Sequence, residues 1–434
     1  MSTMVPMYGF DGGGGTGAAL TITAPAGCTV TVSKDGKTKT KVAGADGVAV
    51  FDGLATGTWT VTITDGTDTA TDTVNLVADY TKEMLFIKIY GIYRDITASS
   101  PAWAREDDAV GKTATASVGT VAGHSDFDSC YPWSGIQRET LSTGDVMVKI
   151  PKFWFRRYRE GNIEHIKIAD KAMDGFTLHP AFNHSGVETD CIYVGAYKTS
   201  RNNKSVSGAA PQANQTRATF RSNAKAKGSG WSLCDVAVLS AIQMLMLVEF
   251  ATNNMQSAIG RGYCDSNSAA IKTGSCDSVA NLTGRPAGTD GKVDVVWRGI
   301  EGLWGNVWEW VDGVNWNGGK YYVCNDPSKY ADDTLPNYIK LSYTGATSWS
   351  QSYITQEGLD TGSNPHVMLP SAAGRGSAST YQCDGCWSYT GWRVFACGGG
   401  WDNGSFDGLF AAILAHASSD SGPNLGSRLI YIPQ

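Results

Sequence analysis

Several short strings in this 434-residue chain carry residue types that can do chemistry. Cys383 and Cys386, in "CDGC", have the spacing of a zinc-ligand pair. No second Cys-x-x-Cys and no His pair accompanies them, although Cys324 and Cys397 could complete a site in space. A plain turn is the expected role. "GHSDFDSC" (123–130) offers His, Ser and Asp. Catalytic groups gather through the fold and not by adjacency, so a solvated turn is expected there. The basic and aromatic run "KFWFRRYR" (152–159) has the composition to touch phosphate. Its alternation of Phe153, Phe155 and Arg157 is explained more simply by a half-buried strand. Four glycines at 12–15 lack the Lys-Ser/Thr and the strand–helix context of a phosphate loop. No catalytic residue, metal ligand or cofactor is assigned.

The bulk composition narrows the classes further. Hydrophobic residues make up 42% and charged residues 18%, a globular composition and not a disordered one. A net charge of −6 argues against a nucleic-acid or anionic-membrane binder. With 52 Gly and 14 Trp, turns, loops and strands are favoured over helical bundles. The ten cysteines are scattered through a chain too long to need a disulfide framework, so free thiols are expected. The opening "MSTMVPMYGFDGGGG" has no basic region followed by an apolar one and does not read as a secretion signal. The longest apolar run, 238–251, is too short to span a bilayer, so no membrane insertion is expected.

These residues must be positioned by elements, and the sequence divides into three parts. Residues 1–17 read as a flexible Gly-rich N-terminus. Residues 18–86 hold short alternating segments, "CTVTVS", "KTKTKV", "VAVF", "WTVTIT" and "TDTVNLV", broken by three Asp-Gly turns. Trp59, Val61 and Ile63 share one face of such a segment. Five or more strands at this spacing predict a small Ig-like β-sandwich that spaces or docks a larger module. Residues 87–434 form that module. There "MVKIPKFWFRRYRE" (147–160) reads as one or two strands, and 232–255 as one helix with Ser232 as its N-cap. "DGVNWNGGKYYV" (312–323) contains an Asn-Gly turn before a strand. The overall expectation is mainly β with some α (α+β).

One further string, "GIEGLWGNVWEWVDG" (299–313), places Trp308 and Trp310 on one face of an extended segment and Glu309 on the other. By itself it reads as an aromatic core strand. It resembles the Gly-Asn-Val-Trp-Glu-Trp signature of the formylglycine-generating-enzyme family, which has a C-type-lectin-like fold. "GWRVFACGGGW" (391–401) and "LGSRLIYI" (425–432) sit where that family has its Gly-Gly-Ser-Trp-like segment and its closing strand. The resemblance covers about 130 residues well and the whole 87–434 module loosely. It implies that the long irregular stretch 398–432 is an excursion pinned between two strands. The family's oxidase chemistry needs two cysteines within that stretch to bind copper, and none lies between 398 and 434. That chemistry is rejected here, and the chain is expected not to be an enzyme.

The same residues are similar to a second branch of the fold, the variable proteins of diversity-generating retroelements, which include tropism determinants on phage tail fibres. In that branch the C-terminal stretch is a ligand-binding surface rewritten by adenine-directed mutagenesis. Asn codons changed at their adenines reach many residue types but never Lys, Glu, Gln, Met or Trp. Residues 402–424 contain none of those five. The resemblance implies a variable region of about 398–428. Trp401, Gly404, Gly408, Leu409, Phe410, Leu414, Leu425, Gly426 and Arg428 would be scaffold. Asp402, Asn403, Phe406, Asp407, Ala411, Ile413, Ala415, His416, Asp420, Gly422 and Asn424 would be the exposed ligand-binding set. It also implies a host cell-surface protein or glycan as partner, a homo-oligomer such as a trimer, and a place on a virion, with a bacterial surface as the alternative. Two other readings stay open: an oxidase using other cysteines, and an invariant structural virion protein.

Overall fold

The computed structural model describes residues 17–184, 186–266, 268–347 and 350–433. The glycine run at 12–15 lies outside the described residues. The chain divides into two units, 1–88 and 89–434.

The first unit is built by period-two alternation. Its strands are β1 (Ala18–Thr23), β2 (Thr29–Lys34), β3 (Lys37–Val42), β4 (Val48–Leu54), β5 (Gly57–Thr64), β6 (Thr69–Leu76) and β7 (Tyr80–Glu83). They form two sheets, ordered β4-β1-β7 and β3-β2-β5-β6. Leu20, Ile22 and Phe51 of one sheet share a core with Val30, Val32, Trp59, Val61 and Ile63 of the other. Asp35 and Gly36 both take positive φ (49° and 73°), as a two-residue hairpin between right-twisted strands demands. The exposed edge strand β3 uses its lysines to close the gap between sheets, and Lys39 Nζ donates to the Asp52 carbonyl of β4 at 3.0 Å. Charged edges of this kind also discourage pairing with other chains.

The second unit is mostly strand around one buried helix. Helix Val236–Phe250 has only Phe250 outside the buried set, so it is apolar all round, as a helix enclosed by a domain must be. Its N-cap is Asp235, whose carboxylate accepts from the Val238 N–H at 2.9 Å. Ser232 is not the cap. It lies in strand Trp231–Leu233, which pairs with the closing strand Leu429–Tyr431. The run 147–160 forms two strands, Val146–Pro151 and Trp154–Glu160. In the latter, Phe155 and Arg157 are buried, and Arg157 donates to Glu164 at 2.8 Å. That guanidinium is engaged inside the protein and does not face a phosphate.

The largest sheet positions the C-terminal stretch. Strand Trp308–Asn317 turns through Gly318 and Gly319, both at positive φ, into Lys320–Val323. On its other side it pairs antiparallel with Trp392–Cys397, which pairs with Ala412–His416, which pairs in parallel with Gly385–Ser388. Leu425–Gly426 returns parallel to Trp308 and Glu309. Leu429–Tyr431 then crosses into a five-stranded sheet between Cys191–Gly195 and Trp231–Leu233. Among the described residues no helix is long and apolar enough to cross a membrane.

A candidate recognition surface at the C-terminal stretch

The Trp-Glu-Trp string works as its alternation predicts. Trp308 and Trp310 face a cluster with Phe220, Leu233, Val394, Ala396, Ala411, Ile413 and Leu425. Glu309, on the opposite face, is buried in an ionic knot. Arg428 donates to it from Nε (3.0 Å) and Nη2 (2.6 Å), and Lys198 Nζ donates at 2.8 Å. Arg428 Nη1 and Nη2 also donate to the carbonyls of Gly195 and Glu301, each at 2.8 Å. Burial by itself would raise the Glu309 carboxyl, but Arg428 and Lys198 outweigh it and hold the group below its usual range. The closing strand is thereby tied to the signature strand through one side chain.

The stretch between these anchors begins with Gly398, Gly399 and Gly400. Gly399 has φ 97°, and a Cβ there would lie 1.7 Å from Asp407 Oδ1. Only glycine allows the carboxylate so close to the backbone. Asp407 Oδ1 accepts from the Gly400 N–H at 3.1 Å, while Oδ2 has no partner. Asp384 Oδ2, from the "CDGC" string, accepts from the Phe410 N–H at 2.7 Å. Burial pushes both carboxyls well above the usual range, which favours the neutral form of each.

The eleven residues expected to be exposed therefore separate. Asp407, Ala411 and Ile413 are buried, at 0%, 0% and 2% exposure. Their exposure is corrected for a physical reason: Ala412–His416 is a strand interior to the sheet, with Ala411 and Ile413 packed in the cluster that holds Trp308 and Trp310. Asp402 is exposed, and Asn403, Phe406, Ala415, His416, Asp420, Gly422 and Asn424 are half-buried. Asn403 has an internal task, because its Oδ1 accepts from Trp308 Nε1 and the Gly400 N–H, both at 3.0 Å. Phe406 stacks on Tyr353 with ring centroids 4.3 Å apart, and His416 meets Trp310 edge-on at 5.5 Å. Burial lowers the His416 imidazole below its ordinary value, against the pull of Asp420. Of the residues expected to be scaffold, Trp401 and Gly404 are half-buried, while Gly408, Leu409, Phe410, Leu414, Leu425, Gly426 and Arg428 are buried.

Three neighbours escaped the sequence reading. Tyr353 supports Phe406, and its hydroxyl lies 2.7 Å from Ser405 Oγ. Half-buried Trp387 packs edge-on against Trp308 at 6.2 Å. Asp333 accepts a hydrogen bond from Ser418. They come from segments distant in sequence, and only the nearness of Trp387 to "CDGC" gave any signal. The surface thus presents half-buried aromatics, Phe406, Trp387 and Trp401, among small polar residues. All ten cysteines are free and buried. Among the described residues, no three His, Cys, Asp or Glu side chains converge where a metal ion could be held.

The arrangement defines, as a class, a β-rich domain with an irregular excursion held on a sheet. No family model matches the chain, and no curated protein does. Among solved structures it is similar to the Major Tropism Determinant U1 variant, at 13% identity over 87% of this chain and 82% of that one, with a TM-score of 0.25. It is also similar to the M1 variant, at 12% identity over 86% and 80%, with a TM-score of 0.26. Overlap of that size does not fix an arrangement of strands, and the functional reading rests on the residues instead.

Proposed function

We propose that the chain is a recognition protein: a C-type-lectin-like module, preceded by an Ig-like sandwich, whose C-terminal stretch carries a replaceable ligand-binding surface in the manner of diversity-generating retroelement variable proteins. One observation carries this reading. Within 398–432 the residues that hold the fold are separate from those that meet solvent. Asp407, Leu409 to Leu414 and Arg428 are buried, and Arg428 and the carboxylate of Asp407 are hydrogen-bonded. Asp402, Ser419, Ser421 and Pro423 are exposed, with half-buried Phe406, Ala415, His416 and Asp420 beside them. Residues of the second set can change without disturbing the first. Aromatic anchors among small polar neighbours suit recognition, since they give contact area at low entropic cost.

The binding set in this reading is Asp402, Asn403, Phe406, Ala415, His416, Asp420, Gly422 and Asn424. Asn403 contributes through its outer edge only. The partner is a host cell-surface protein or glycan, and the setting is a phage tail fibre, with a bacterial surface as the alternative. A homo-oligomer would present several copies and convert modest single-site affinity into avidity. Catalysis has little to draw on. The stretch has no thiol, and burial pushes Cys234, Cys264 and Cys397 above the usual thiol range, away from the reactive thiolate.

The test is adsorption of fluorescently labelled protein to a panel of intact bacterial strains. Protease-treated and periodate-treated cells separate a protein receptor from a glycan. Saturable adsorption to some strains is expected, abolished by D402R together with A415R at an unchanged melting temperature. Adsorption that ignores both substitutions, or none to any strain, overturns the reading. Turnover of a thiol peptide with copper would overturn the non-enzymatic part.

A further inference from the structure

The "GHSDFDSC" string, expected as a solvated turn, forms one wall of a cavity of about 260 Å³. The other walls come from Thr115 and Ser117, from residues 133–136, from the end of helix Val236–Phe250 and from residues 281–298. We propose that this cavity is a second binding site, for a small neutral polyhydroxylated ligand of monosaccharide size.

The hydroxyl arrangement points there first. Ser117 Oγ, 1% exposed as a residue, accepts from the Gly123 N–H at 2.9 Å. Thr115 Oγ1 accepts from the His124 N–H at 3.1 Å, and Thr283 Oγ1 from the Arg298 N–H at 3.0 Å. Each oxygen is fixed by a backbone donor, and among the described residues none of the three hydroxyl hydrogens has an acceptor. Of the three, Ser117 is buried, and a buried donor left unpaired is costly, so a ligand bearing acceptors is favoured here. Exposed Ser134 adds a fourth hydroxyl to the lining.

The one guanidinium of the lining is engaged with both of its carboxylates. Arg298 donates to Glu249 from Nε (3.0 Å) and Nη2 (2.7 Å), and to Asp128 at 2.8 Å. Glu249 also accepts from Ser125 Oγ and Trp297 Nε1, each at 2.8 Å. The guanidinium is neutralised within the protein, so an anion gains little. The Glu249 oxygens are both occupied, so a cation gains little as well. Asp128 Oδ2, also in the lining, has no partner among the described residues. The lining holds both hydroxyl donors and a carboxylate acceptor, which suits vicinal hydroxyls, since these both give and take hydrogen bonds. Half-buried Ile136 and Phe250 supply an apolar patch for a C–H face.

The backbone supports the same reading. Asn281 (φ 55°), Leu282 (φ 47°) and Arg298 (φ 44°) are left-handed non-glycine residues on or beside one wall. Strain of this kind gathers where the surroundings fix a ligand-binding geometry. The volume lies below the 300–1,000 Å³ range of pockets for drug-sized ligands, which selects a smaller molecule.

The full chain would be titrated with D-glucose, D-galactose, D-mannose, N-acetyl-D-glucosamine and myo-inositol, each followed by saturation-transfer NMR and calorimetry. At least one is expected to bind saturably with a Kd on the order of 1 mM. T115V with S134A, both at exposed positions, should weaken it by about tenfold, the loss of roughly one hydrogen bond's worth of affinity. D402R with A415R, on the C-terminal surface, should leave it unchanged. Two results would overturn the proposal: no saturation by any probe up to tens of millimolar, or binding that responds to D402R with A415R and not to T115V with S134A. The second would place the ligand on the C-terminal surface, so this proposal and the preceding reading fail separately.

Discussion

Arg428 and Asp407 show how single residues make the excursion possible, and each supports a test. Removing Arg428 leaves the buried Glu309 with Lys198 as its one remaining cation. R428A should therefore destabilise the module by about 3–5 kcal/mol, the range for breaking one side of a buried ion pair. R428K should also lose stability, because an ammonium cannot fork to Glu309 and the carbonyls of Gly195 and Glu301 together. Chemical denaturation of the two variants beside the parent checks both. Asp407 behaves oppositely. Burial raises its folded pKa above the unfolded value of about 4, so the unfolded state releases its proton first as pH rises. Its contribution is then full in acid and declines as pH rises above about 4. D407N, which mimics the neutral acid, should keep the bond to Gly400 and flatten that decline. D407A should lose about 1 kcal/mol at any pH through the lost bond to the Gly400 N–H, which keeps Asn403 Oδ1 as its other acceptor. Melting curves at pH 5 and pH 8 distinguish them. Arg428 was legible in the sequence as scaffold because the closing-strand motif places it there. Asp407 was not, because a carboxylate in a Gly-rich stretch looks like a solvated turn until a glycine is seen to make room for it.

At the scale of elements, the stretch 398–432 mixes two kinds of segment that its composition blurs. "FAAILA" (410–415) is a short continuous apolar run, the mark of a strand buried on both faces. That signal was present, but the surrounding glycines and serines hid it, and Ala411 and Ile413 were expected at the surface. Helix 236–250 was legible because its apolar run is long enough for nothing else. Its cap was misplaced by three residues because Ser232 and Asp235 are both good caps, and only the pairing of Trp231–Leu233 with the closing strand decides between them. The expected outcome is a sharp contrast in tolerance. Substitutions at Asp402, Ala415, Ser419 and Ser421 should each change stability by no more than about 0.5 kcal/mol. I413A should lose about 2–4 kcal/mol through the cavity it leaves against the two tryptophans. A thermal-shift scan across 401–424 would read this contrast directly. Uniform sensitivity would mean that the excursion is structural throughout.

For the whole molecule, the sandwich was read from alternation and Asp-Gly turns alone, because each strand is amphipathic and each turn is local. The larger module was only coarsely legible. Its sheets join segments far apart in the sequence, such as Cys191–Gly195 with Leu429–Tyr431, and no periodicity announces such pairings. The first unit has its own core, with Trp59 at 5% exposure as its one tryptophan. A fragment of residues 17–88 should fold alone, with blue-shifted tryptophan emission and a single cooperative transition in urea. Red-shifted emission without a transition would show that the core is insufficient.

The central claim is that the C-terminal stretch is a recognition surface free to vary. The most direct measurement is the sequence of the DNA flanking this gene, searched for a near-copy of the codons for 398–432. The account predicts a copy that differs only where it carries adenine, with mismatches at exposed and half-buried positions such as Asp402, Phe406, Ala415, His416 and Asp420. Absence of any copy, or mismatches gathered on the buried run 407–414, would contradict it.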